Sequence, residues 1–346
     1  MTKVANARVA INGLGRIGRA AFKIILDTPE LELVAANDIV SIDNLAYLLK
    51  YDTVYGRYEK EVGSDAEHLV VAGHPYRVFN EKDPARLPWG ELDVDIVLEC
   101  SGVFTQMEDL KKHLTAGAKY VLLSAPARDE GVSTVVHGVN RPGKDARVLS
   151  CASCTTNSIT PVVEIIDRHL GVQKAIMTTI HAYTSSQKIV DSPSKKVRRG
   201  RAGAANFVPT TTGAAVATTK ALPQLEGKFD GVAVRAPIPA GSIADIVFVT
   251  KRPTTVEEVN RIFRTEAQSE QYAGILGATD DELVSSDIIK DPRASIVDLG
   301  MTQVVDGDLV KVMSWYDNEW GYTSQMVREA VRIAGHIQAN AGVTVS

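Results

Sequence analysis

Two cysteines three positions apart mark the stretch SCASCTTN, Ser150 to Asn157. The spacing of Cys151 and Cys154 fits a redox pair, half of a metal site, a catalytic nucleophile or ordinary packing. A zinc site needs four ligands, and the sequence has no second CxxC or CxxH. A thioredoxin-like pair is disfavoured, because the surrounding βαβ pattern is typical of a different fold. A nucleophile and a packed thiol therefore remain.

The nucleophile interpretation depends on where the next helix begins. Its apolar residues recur at helical spacing at Val162, Val163, Ile165, Ile166 and Leu170, and Gly171 can end it. Pro161 is one candidate for the first helical residue. Alternatively, the helix begins near Cys154 with Ser153 as its N-cap, which places the thiol at the positive end of the helix dipole and lowers its pKa. The sequence leaves both starts open.

A candidate base for this thiol is His181, which ends the strand pattern at 177–180 and precedes the polar run Tyr183 to Ser186. A histidine at a strand end serves either as a base or as a core residue with satisfied hydrogen bonds. The pattern alone does not decide between these roles.

A G-x-G-x-x-G motif at Gly13, Gly15 and Gly18 follows the β-prone run Arg8 to Asn12. The three glycines permit a tight turn, the approach of backbone N–H groups to a pyrophosphate, and close packing of helix on strand. Asp38 follows about 20 residues later, where a carboxylate can bond a ribose 2′-hydroxyl and repel a 2′-phosphate. The order of strand, glycines, helix, strand and acid predicts a Rossmann fold that binds NAD.

The composition indicates a globular protein of about two domains. The chain has 346 residues, of which 45% are hydrophobic, and a net charge of -4, which argues against a nucleic-acid binder or a membrane-surface protein. Three cysteines do not make a disulfide framework, and the N-terminus lacks the apolar core of a signal peptide. We therefore expect a cytoplasmic protein.

The predicted elements change character near residue 150. Before it, buried runs at Val94 to Glu99 and Tyr120 to Leu123 alternate with a helical pattern, as in a parallel sheet. After it, longer strands are predicted at Gln173 to Ala182, Gly231 to Ala236, Ser242 to Thr250 and Leu309 to Tyr316, with a helix at Thr255 to Glu266. The predicted fold class is α/β: an N-terminal Rossmann domain and an α+β domain with a largely antiparallel sheet.

Five motifs together resemble the phosphorylating glyceraldehyde-3-phosphate dehydrogenase family. They are INGLGRIGR, SCASCTTN, HAYT, the TTTGAA of Thr210 to Ala215, and WYDNEWGY at Trp315 to Tyr322. The resemblance spans nearly the whole chain in the family's order, and the cysteine and WYDNE-x-GY motifs are highly specific. It implies an NAD-binding domain at 1–152, completed by a C-terminal helix at 320–346, and a catalytic domain at 153–319.

The resemblance implies a reaction and the two residues that perform it. Cys154 matches the nucleophile, whose thiolate attacks the aldehyde of glyceraldehyde 3-phosphate to give a hemithioacetal. His181 matches the base that activates the thiol and takes the hydroxyl proton as hydride leaves for NAD. Inorganic phosphate then attacks the resulting thioester and releases 1,3-bisphosphoglycerate.

The resemblance also assigns the binding residues. The substrate phosphate matches Thr184 and Arg235, and inorganic phosphate matches Ser153, Thr155, Thr212 and Gly213, with Arg199 nearby. The NAD contacts match Gly13, Gly15, Arg16, Ile17, Gly18, Asp38, Arg77, Ser124 and Asn318, and Tyr322 is expected to pack near the nicotinamide. No metal site is expected. The family is homotetrameric, with the loop from about Thr184 to Asn206 at subunit contacts.

The basic run Lys195 to Arg201 has three interpretations. The resemblance favours a loop that brings Arg199 to phosphate, ahead of a solvated loop and of a nucleic-acid patch. Two alternatives to the main function are kept: erythrose-4-phosphate dehydrogenase, which the TTTGAA segment disfavours, and an NAD- or RNA-binding protein without catalysis.

The chain departs from the family's pattern around the nucleophile. Cys151 stands where the family has Asn, Ser158 stands where it has a second Cys, and Ser186 stands where many bacterial relatives have Asp. The CxxC spacing suggests the hypothesis that oxidation joins Cys151 and Cys154 in a disulfide that protects the nucleophile. A buried small residue at position 151 is the alternative.

Overall fold

The computed structural model describes residues 6–143 and 145–343 of the chain. These residues divide into two units. Unit 1 comprises the described parts of Met1–Val135, Pro142–Ala152 and Met326–Ser346, and unit 2 comprises Val136–Arg141 and Ser153–Gln325. None of the described helices is both long and apolar enough to cross a lipid bilayer.

Unit 1 is built on a nine-stranded sheet whose order is β10-β11-β9-β8-β1-β2-β7-β6-β5. Its elements are β1 (Ala7–Asn12), α1 (Arg16–Ile25), β2 (Leu31–Asn37), α2 (Ile42–Lys50), β3 (Tyr51–Asp52), β4 (Gly56–Arg57), β5 (Val62–Ser64), β6 (His68–Val71), β7 (His74–Phe79), β8 (Ile96–Glu99), α3 (Met107–Thr115), β9 (Tyr120–Leu123), β10 (Ser133–Thr134) and β11 (Val148–Ser150). Strands from β10 to β7 pair in parallel, and β6 and β5 add an antiparallel edge. The strands β3 and β4 form a separate ribbon.

A buried carboxylate joins three segments of unit 1 below the turn that follows β1. Glu99, at the end of β8, accepts hydrogen bonds from Asn12 Nδ2 at 2.5 Å and from the backbone N–H of Ser101 at 2.8 Å. His113 Nε2 lies 3.0 Å from the same carboxylate, and Trp89 Nε1 lies 3.0 Å from His113 Nδ1. The indole can only donate, so His113 accepts at Nδ1 and donates at Nε2 to Glu99.

Unit 2 is built on a seven-stranded sheet whose order is β13-β14-β12-β15-β18-β17-β16. Its elements are α4 (Cys154–Leu170), β12 (Val172–Ala182), β13 (Val208–Thr211), α5 (Ala214–Ala221), β14 (Phe229–Ala236), β15 (Ser242–Thr250), α6 (Val256–Glu266), β16 (Leu276–Thr279), β17 (Ser295–Val305) and β18 (Leu309–Tyr316). The pairs β12–β14 and β16–β17 are parallel, and the other four are antiparallel. The last helix, α7 (Trp320–Val343), begins in unit 2 and continues in unit 1.

The helix α4 covers one face of this second sheet. Its buried apolar residues recur three or four positions apart, at Ile159, Val162, Val163, Ile166 and Leu170, and they share a core with residues of β15, β17 and β18. In β12 the side chains of Met177, Thr179 and His181 are buried on alternate positions, as the two-residue period of a strand requires. His181 therefore shares a face of its strand with Thr179.

The predicted fold class matches this architecture, and the four predicted strands of the second half are present within two residues of their expected bounds. Short 3-10 helices occupy Pro84–Arg86, Val197–Gly200, Gly203–Ala205 and Pro223–Leu225. The sequence did not predict β13, β16, β17 or α5. Residues 344–346 of the expected C-terminal helix lie outside the described residues.

The buried network predicts a large effect for Glu99→Ala. This change leaves the donors of Asn12, Ser101 and His113 without their acceptor in a dry environment, so we expect the free energy of unfolding to fall by about 3 kcal/mol. Urea denaturation followed by circular dichroism measures the loss.

The matched control is Glu32→Ala, which removes a surface ion pair with Arg8. Exposed pairs of this kind contribute about 0.5 kcal/mol or less. An equal loss in the two variants would contradict the structural role of the Glu99 network.

Candidate active site

The first turn of α4 settles where the catalytic helix begins. Ser153 is the N-cap: its hydroxyl accepts a hydrogen bond from the N–H of Thr156 at 3.1 Å, and Cys154 is the first helical residue. Pro161 lies inside the helix, so the alternative start at the proline is wrong. Because the first turn carries unpaired N–H groups and the positive end of the helix dipole, it favours a thiolate at Cys154.

Cys154 and His181 form a direct pair. The Sγ atom of Cys154 lies 3.2 Å from Nε2 of His181, a residue that is 2% exposed. The other ring nitrogen, Nδ1, lies 2.7 Å from the carbonyl oxygen of Ala182, so Nδ1 carries the proton and Nε2 presents its lone pair to the thiol. The geometry is that of a nucleophile and a base oriented by a third group.

Burial disfavours the charged form of both members of this pair. Burial raises the pKa of the Cys154 thiol, against the opposing effects of Arg235 and of hydrogen bonds from Thr155. Burial and the Arg235 charge lower the pKa of His181 to about 3. Burial thus acts against the thiolate and the imidazolium, whereas the N-terminus of α4 acts in favour of the thiolate.

A hydroxyl cluster behind the pair was not predicted from the sequence. The Tyr316 hydroxyl lies 2.9 Å from Thr155 Oγ1 and 2.8 Å from Thr179 Oγ1, and the Tyr316 ring meets the His181 ring edge-on at 5.9 Å. Burial raises the pKa of Tyr316, so its hydroxyl keeps its proton. The period of β12 would have indicated Thr179 as a neighbour of His181, whereas Tyr316 reaches the site only through the sheet order.

Two guanidinium groups converge beside the pair. Arg235 lies opposite His181 in the β12–β14 register, and its Nη1 donates to the Ala182 carbonyl at 3.0 Å. Arg199 donates to Thr210 Oγ1 at 3.0 Å. Burial lowers the pKa of Arg199, and the nearby charge of Arg235 lowers it further. Among the described residues no carboxylate forms an ion pair with either arginine. Two guanidinium groups without carboxylate partners can bind the oxygen atoms of a phosphate.

Hydroxyl and backbone groups expected to bind phosphate extend this cluster. Thr184 Oγ1 lies 2.9 Å from Ser186 Oγ, which Arg199 Nη1 contacts at 3.4 Å. Thr212 accepts a hydrogen bond from the N–H of Ala214, and Gly213 is the N-cap of α5. Other residues of the basic run Lys195 to Arg201 have partners of their own. Arg201 pairs with Asp191, and Lys196 contacts Thr211.

The glycine motif of unit 1 forms an open cradle at the start of α1. Gly13 has a φ of +93°, and a Cβ there would lie 2.6 Å from the backbone of Ser101. A Cβ on Gly18 would collide with the Gly13 carbonyl, whereas one on Gly15 would meet no atom within 4 Å. The space above Gly15 fits a group that approaches the helix N-terminus closely.

Other residues expected to contact NAD lie within or just after strands of unit 1, or at the start of α1. Asp38 accepts hydrogen bonds from the N–H groups of Leu14 at 2.6 Å and Val40 at 3.0 Å. Asp38 and Arg77 line one cavity of about 520 Å³, where Arg77 pairs with Glu67. Arg16 and Ile17 open α1, where Arg16 contacts Asp52 at 2.5 Å, and Ser124 follows β9.

The remaining candidates, Asn318 and Tyr322, belong to unit 2. Asn318 Oδ1 accepts a hydrogen bond from Ser242 Oγ at 3.0 Å, and the same hydroxyl accepts from the N–H of Ala182 at 3.1 Å. Tyr322 is buried in the first turn of α7. Asn318 is thereby tied to the strand end that carries His181.

Cys151 lies in unit 1, and all three cysteines are thiols. Burial raises the pKa of the Cys151 thiol, Glu329 and Cys100 raise it further, and Arg332 opposes them. Burial likewise raises the pKa of Cys100, as expected of a packed thiol. The disulfide between Cys151 and Cys154 stays a prediction.

Comparison with known proteins identifies the family. Residues 7–107 match the model of the glyceraldehyde 3-phosphate dehydrogenase NAD binding domain, and residues 153–318 match that of its C-terminal domain. Glyceraldehyde-3-phosphate dehydrogenase 2 of Streptomyces avermitilis is 48% identical over 334 residues, which cover 95% of this chain and 99% of the relative. The Geobacillus stearothermophilus enzyme is 46% identical over 330 residues, covering 94% and 98%. The chain belongs to the glyceraldehyde-3-phosphate dehydrogenase family and is an NAD-dependent oxidoreductase.

Proposed function

We propose that the protein oxidises glyceraldehyde 3-phosphate to 1,3-bisphosphoglycerate with NAD and inorganic phosphate. The observation that carries this proposal is the 3.2 Å contact between Cys154 Sγ and His181 Nε2 at the capped start of α4. Two arginines without carboxylate partners among the described residues lie beside this contact, which supports a substrate and a co-substrate that both carry phosphate.

Cys154 and His181 carry out the covalent chemistry. His181 Nε2 takes the thiol proton, and the thiolate forms a carbon–sulfur bond with the aldehyde to give a hemithioacetal. The N–H groups of the first turn of α4 and the protonated His181 stabilise the oxyanion. His181 gives this proton to the oxyanion, which becomes the hemithioacetal hydroxyl, and the neutral imidazole then takes the hydroxyl proton back as hydride leaves; bound NAD would supply the hydride acceptor.

The product of this oxidation is a thioester on Cys154. Phosphate oxygen attacks its carbonyl carbon, and the carbon–sulfur bond breaks, so the acyl group leaves as an acyl phosphate and Cys154 returns as a thiolate. Covalent capture replaces one difficult step with two easier ones, and the thioester retains the free energy of oxidation that the acyl phosphate then carries.

Two sets of groups are proposed to hold the two phosphates. Thr184 and Arg235 bind the substrate phosphate. Inorganic phosphate is bound by Ser153, Thr155, Thr212 and Gly213, with Arg199 nearby. The hydroxyl of Ser153 and the start of α5 support this division, because both offer donors at helix N-termini.

NAD is proposed to occupy the cradle of unit 1. Gly13, Gly15 and Gly18 leave room for the pyrophosphate, while Asp38 and Arg77 line the cavity proposed for the adenosine. Arg16, Ile17, Ser124, Asn318 and Tyr322 complete the proposed set. Accordingly, 1–152 with 320–346 forms the NAD-binding domain, and 153–319 forms the catalytic domain.

The protein is proposed to act as a cytoplasmic homotetramer. Three large apolar side chains in the loop expected at subunit contacts support an assembly: Ile189 is 90% exposed, Val190 70% and Val197 82%. A partner subunit would remove this apolar surface from water. Three cysteines in 346 residues, too few for a disulfide framework, are typical of a reducing compartment.

The proposed reaction predicts turnover that requires phosphate. We expect NADH formation from glyceraldehyde 3-phosphate and NAD to be sustained only when inorganic phosphate is present, because phosphate releases the acyl group from Cys154. Absorbance of NADH follows the reaction. Equal sustained turnover without phosphate would mean that water resolves the thioester. Turnover with erythrose 4-phosphate but not with glyceraldehyde 3-phosphate would assign the protein to that alternative activity.

If His181 is the base, its replacement should lower kcat strongly while the structure stays intact. We expect His181→Asn to lower kcat by roughly a thousandfold, since no other described group stands ready to take the thiol proton. Steady-state kinetics measures the loss. The control His169→Asn removes a surface histidine paired with Glu266 and should leave kcat unchanged. A loss below tenfold in His181→Asn would contradict its role as the base.

The glycine cradle predicts that stability and NAD binding respond to different glycines. We expect Gly15→Ala to weaken NAD binding at least tenfold, with the free energy of unfolding within about 0.5 kcal/mol of the original. Gly18→Ala should lower that free energy strongly, because its Cβ collides with the Gly13 carbonyl. Fluorescence titration with NAD and urea denaturation separate the two effects.

The control for the cradle is Gly63→Ala, whose Cβ also meets no atom within 4 Å and which lies on β5. This variant should bind NAD normally. If Gly15→Ala binds NAD as tightly as Gly63→Ala does, the pyrophosphate does not lie above Gly15.

A further inference from the structure

The hydroxyl of Ser242 joins two segments that carry proposed active-site residues. Its Oγ atom accepts a hydrogen bond from the N–H of Ala182 at 3.1 Å and donates one to Oδ1 of Asn318 at 3.0 Å. The carbonyl oxygen of Ala182 in turn lies 2.7 Å from Nδ1 of His181. One buried side chain thus contacts both the strand end that orients His181 and a residue proposed to contact NAD.

The order of the strands explains why Ser242 reaches both segments. The strand β15 lies between β12 and β18, and Ser242 is its first residue. Both neighbours run antiparallel to β15, so their last residues flank its start. Ala182 ends β12, and Asn318 follows the end of β18 by two positions.

The directions of the two hydrogen bonds fix which atom of the Asn318 amide faces Ser242. A backbone N–H can only donate, so the Ser242 oxygen accepts from Ala182. Ser242 is buried, and its hydroxyl has no third partner among the described residues. If Asn318 turned its NH2 group toward this oxygen, the Ser242 proton would be a buried donor without an acceptor, which is costly. Asn318 therefore presents Oδ1 to Ser242.

This orientation leaves Nδ2 of Asn318 as the remaining polar group of a buried residue. Nδ2 has no hydrogen-bond partner within the part of the chain that the structure describes. The backbone beside it is held by the buried carboxylate of Asp317. That carboxylate accepts hydrogen bonds from three backbone N–H groups, those of Lys290, Glu319 and Trp320. Asp317 thus fixes the backbone, and Ser242 fixes the rotation of the Asn318 amide.

We propose that Ser242 is a positioning residue for NAD, which holds the amide of Asn318 so that the donor Nδ2 faces the nicotinamide. The inference rests on the proposed function, in which Asn318 contacts NAD and His181 takes a proton as hydride leaves. The nicotinamide then belongs near the strand end that carries His181, and Ser242 ties Asn318 to that same segment. A carboxamide oxygen accepts hydrogen bonds, so a donor at Nδ2 suits it.

Equilibrium binding of NAD tests the proposal without turnover. Fluorescence titrations compare the unchanged protein, Ser242→Ala, Asn318→Ala and the double variant. We expect Asn318→Ala to weaken binding about tenfold and Ser242→Ala about fivefold, because an amide that is not held can turn its donor away from NAD. The double variant should bind no more weakly than Asn318→Ala, since a residue that acts through Asn318 has no effect once that amide is gone.

A second serine of the same sheet supplies the matched control. Ser295 is also buried, and its hydroxyl lies 2.5 Å from that of Ser314. Ser295→Ala removes a buried hydroxyl in the same way and should bind NAD as the unchanged protein does. If Ser242→Ala fails to fold, Ser242→Cys takes its place in the comparison, because a thiol fills similar space and donates only weakly.

Three results would overturn the proposal. One is a Ser242→Ala variant that binds NAD as tightly as Ser295→Ala does. Another is a double variant whose loss equals the product of the two single losses, because Ser242 would then act on NAD by a route other than Asn318. The third is an Asn318→Ala variant with unchanged NAD binding, which would remove Asn318 from the proposed NAD contacts.

The proposed reaction can fail independently of this role. A protein whose two losses in NAD binding do not add, but which does not oxidise glyceraldehyde 3-phosphate, retains the role of Ser242 and loses the proposed reaction. A protein that shows phosphate-dependent oxidation, but in which Ser242→Ala binds NAD normally, retains the reaction and loses the role of Ser242.

Discussion

The contact between Cys154 and His181 requires two elements of different kinds to end at one point. The helix α4 begins at the thiol because the Ser153 hydroxyl caps its first turn, and β12 carries the imidazole because its alternation buries every second side chain. The apolar stripe of α4 fixes the distance by packing the helix onto the same sheet. A small slip of either element would separate the sulfur from the nitrogen, since hydrogen-bond strength falls steeply with distance.

The site combines opposing effects on the charge of its two reacting groups. Burial favours the thiol over the thiolate and imidazole over imidazolium, whereas the helix N-terminus favours the thiolate. The contact between Cys154 and His181 is therefore the place where burial and the helix dipole oppose each other.

Much of the local chemistry follows from the sequence, because it depends on neighbours along the chain. The glycine turn at Gly13, the strand ending at His181 and the candidate N-cap Ser153 are all local features. The sequence did not decide where α4 begins, because two local preferences point to different residues. Ser153 favours a start at Cys154 as an N-cap, whereas Pro161 favours a start at the proline itself. Packing of the helix on the sheet decides between them, and the sequence does not display that packing.

The parts that the sequence did not reveal depend on contacts between distant segments. Tyr316 reaches Thr155 and Thr179 across more than a hundred residues, through a strand order that no local pattern encodes. The contact of Arg235 with His181 likewise needs the parallel pairing of β12 with β14. The roles of the individual NAD and phosphate contacts, including Arg77, and the domain limits stay predictions.

The most direct test of this account is mass spectrometry of protein quenched in acid after mixing with glyceraldehyde 3-phosphate and NAD, without inorganic phosphate. The account predicts an acyl adduct on the peptide that contains Cys154, and its disappearance when inorganic phosphate is added before the quench. An active enzyme with no adduct, or with an adduct on Cys100 or Cys151, would contradict the assignment of Cys154 as the carrier of the acyl group.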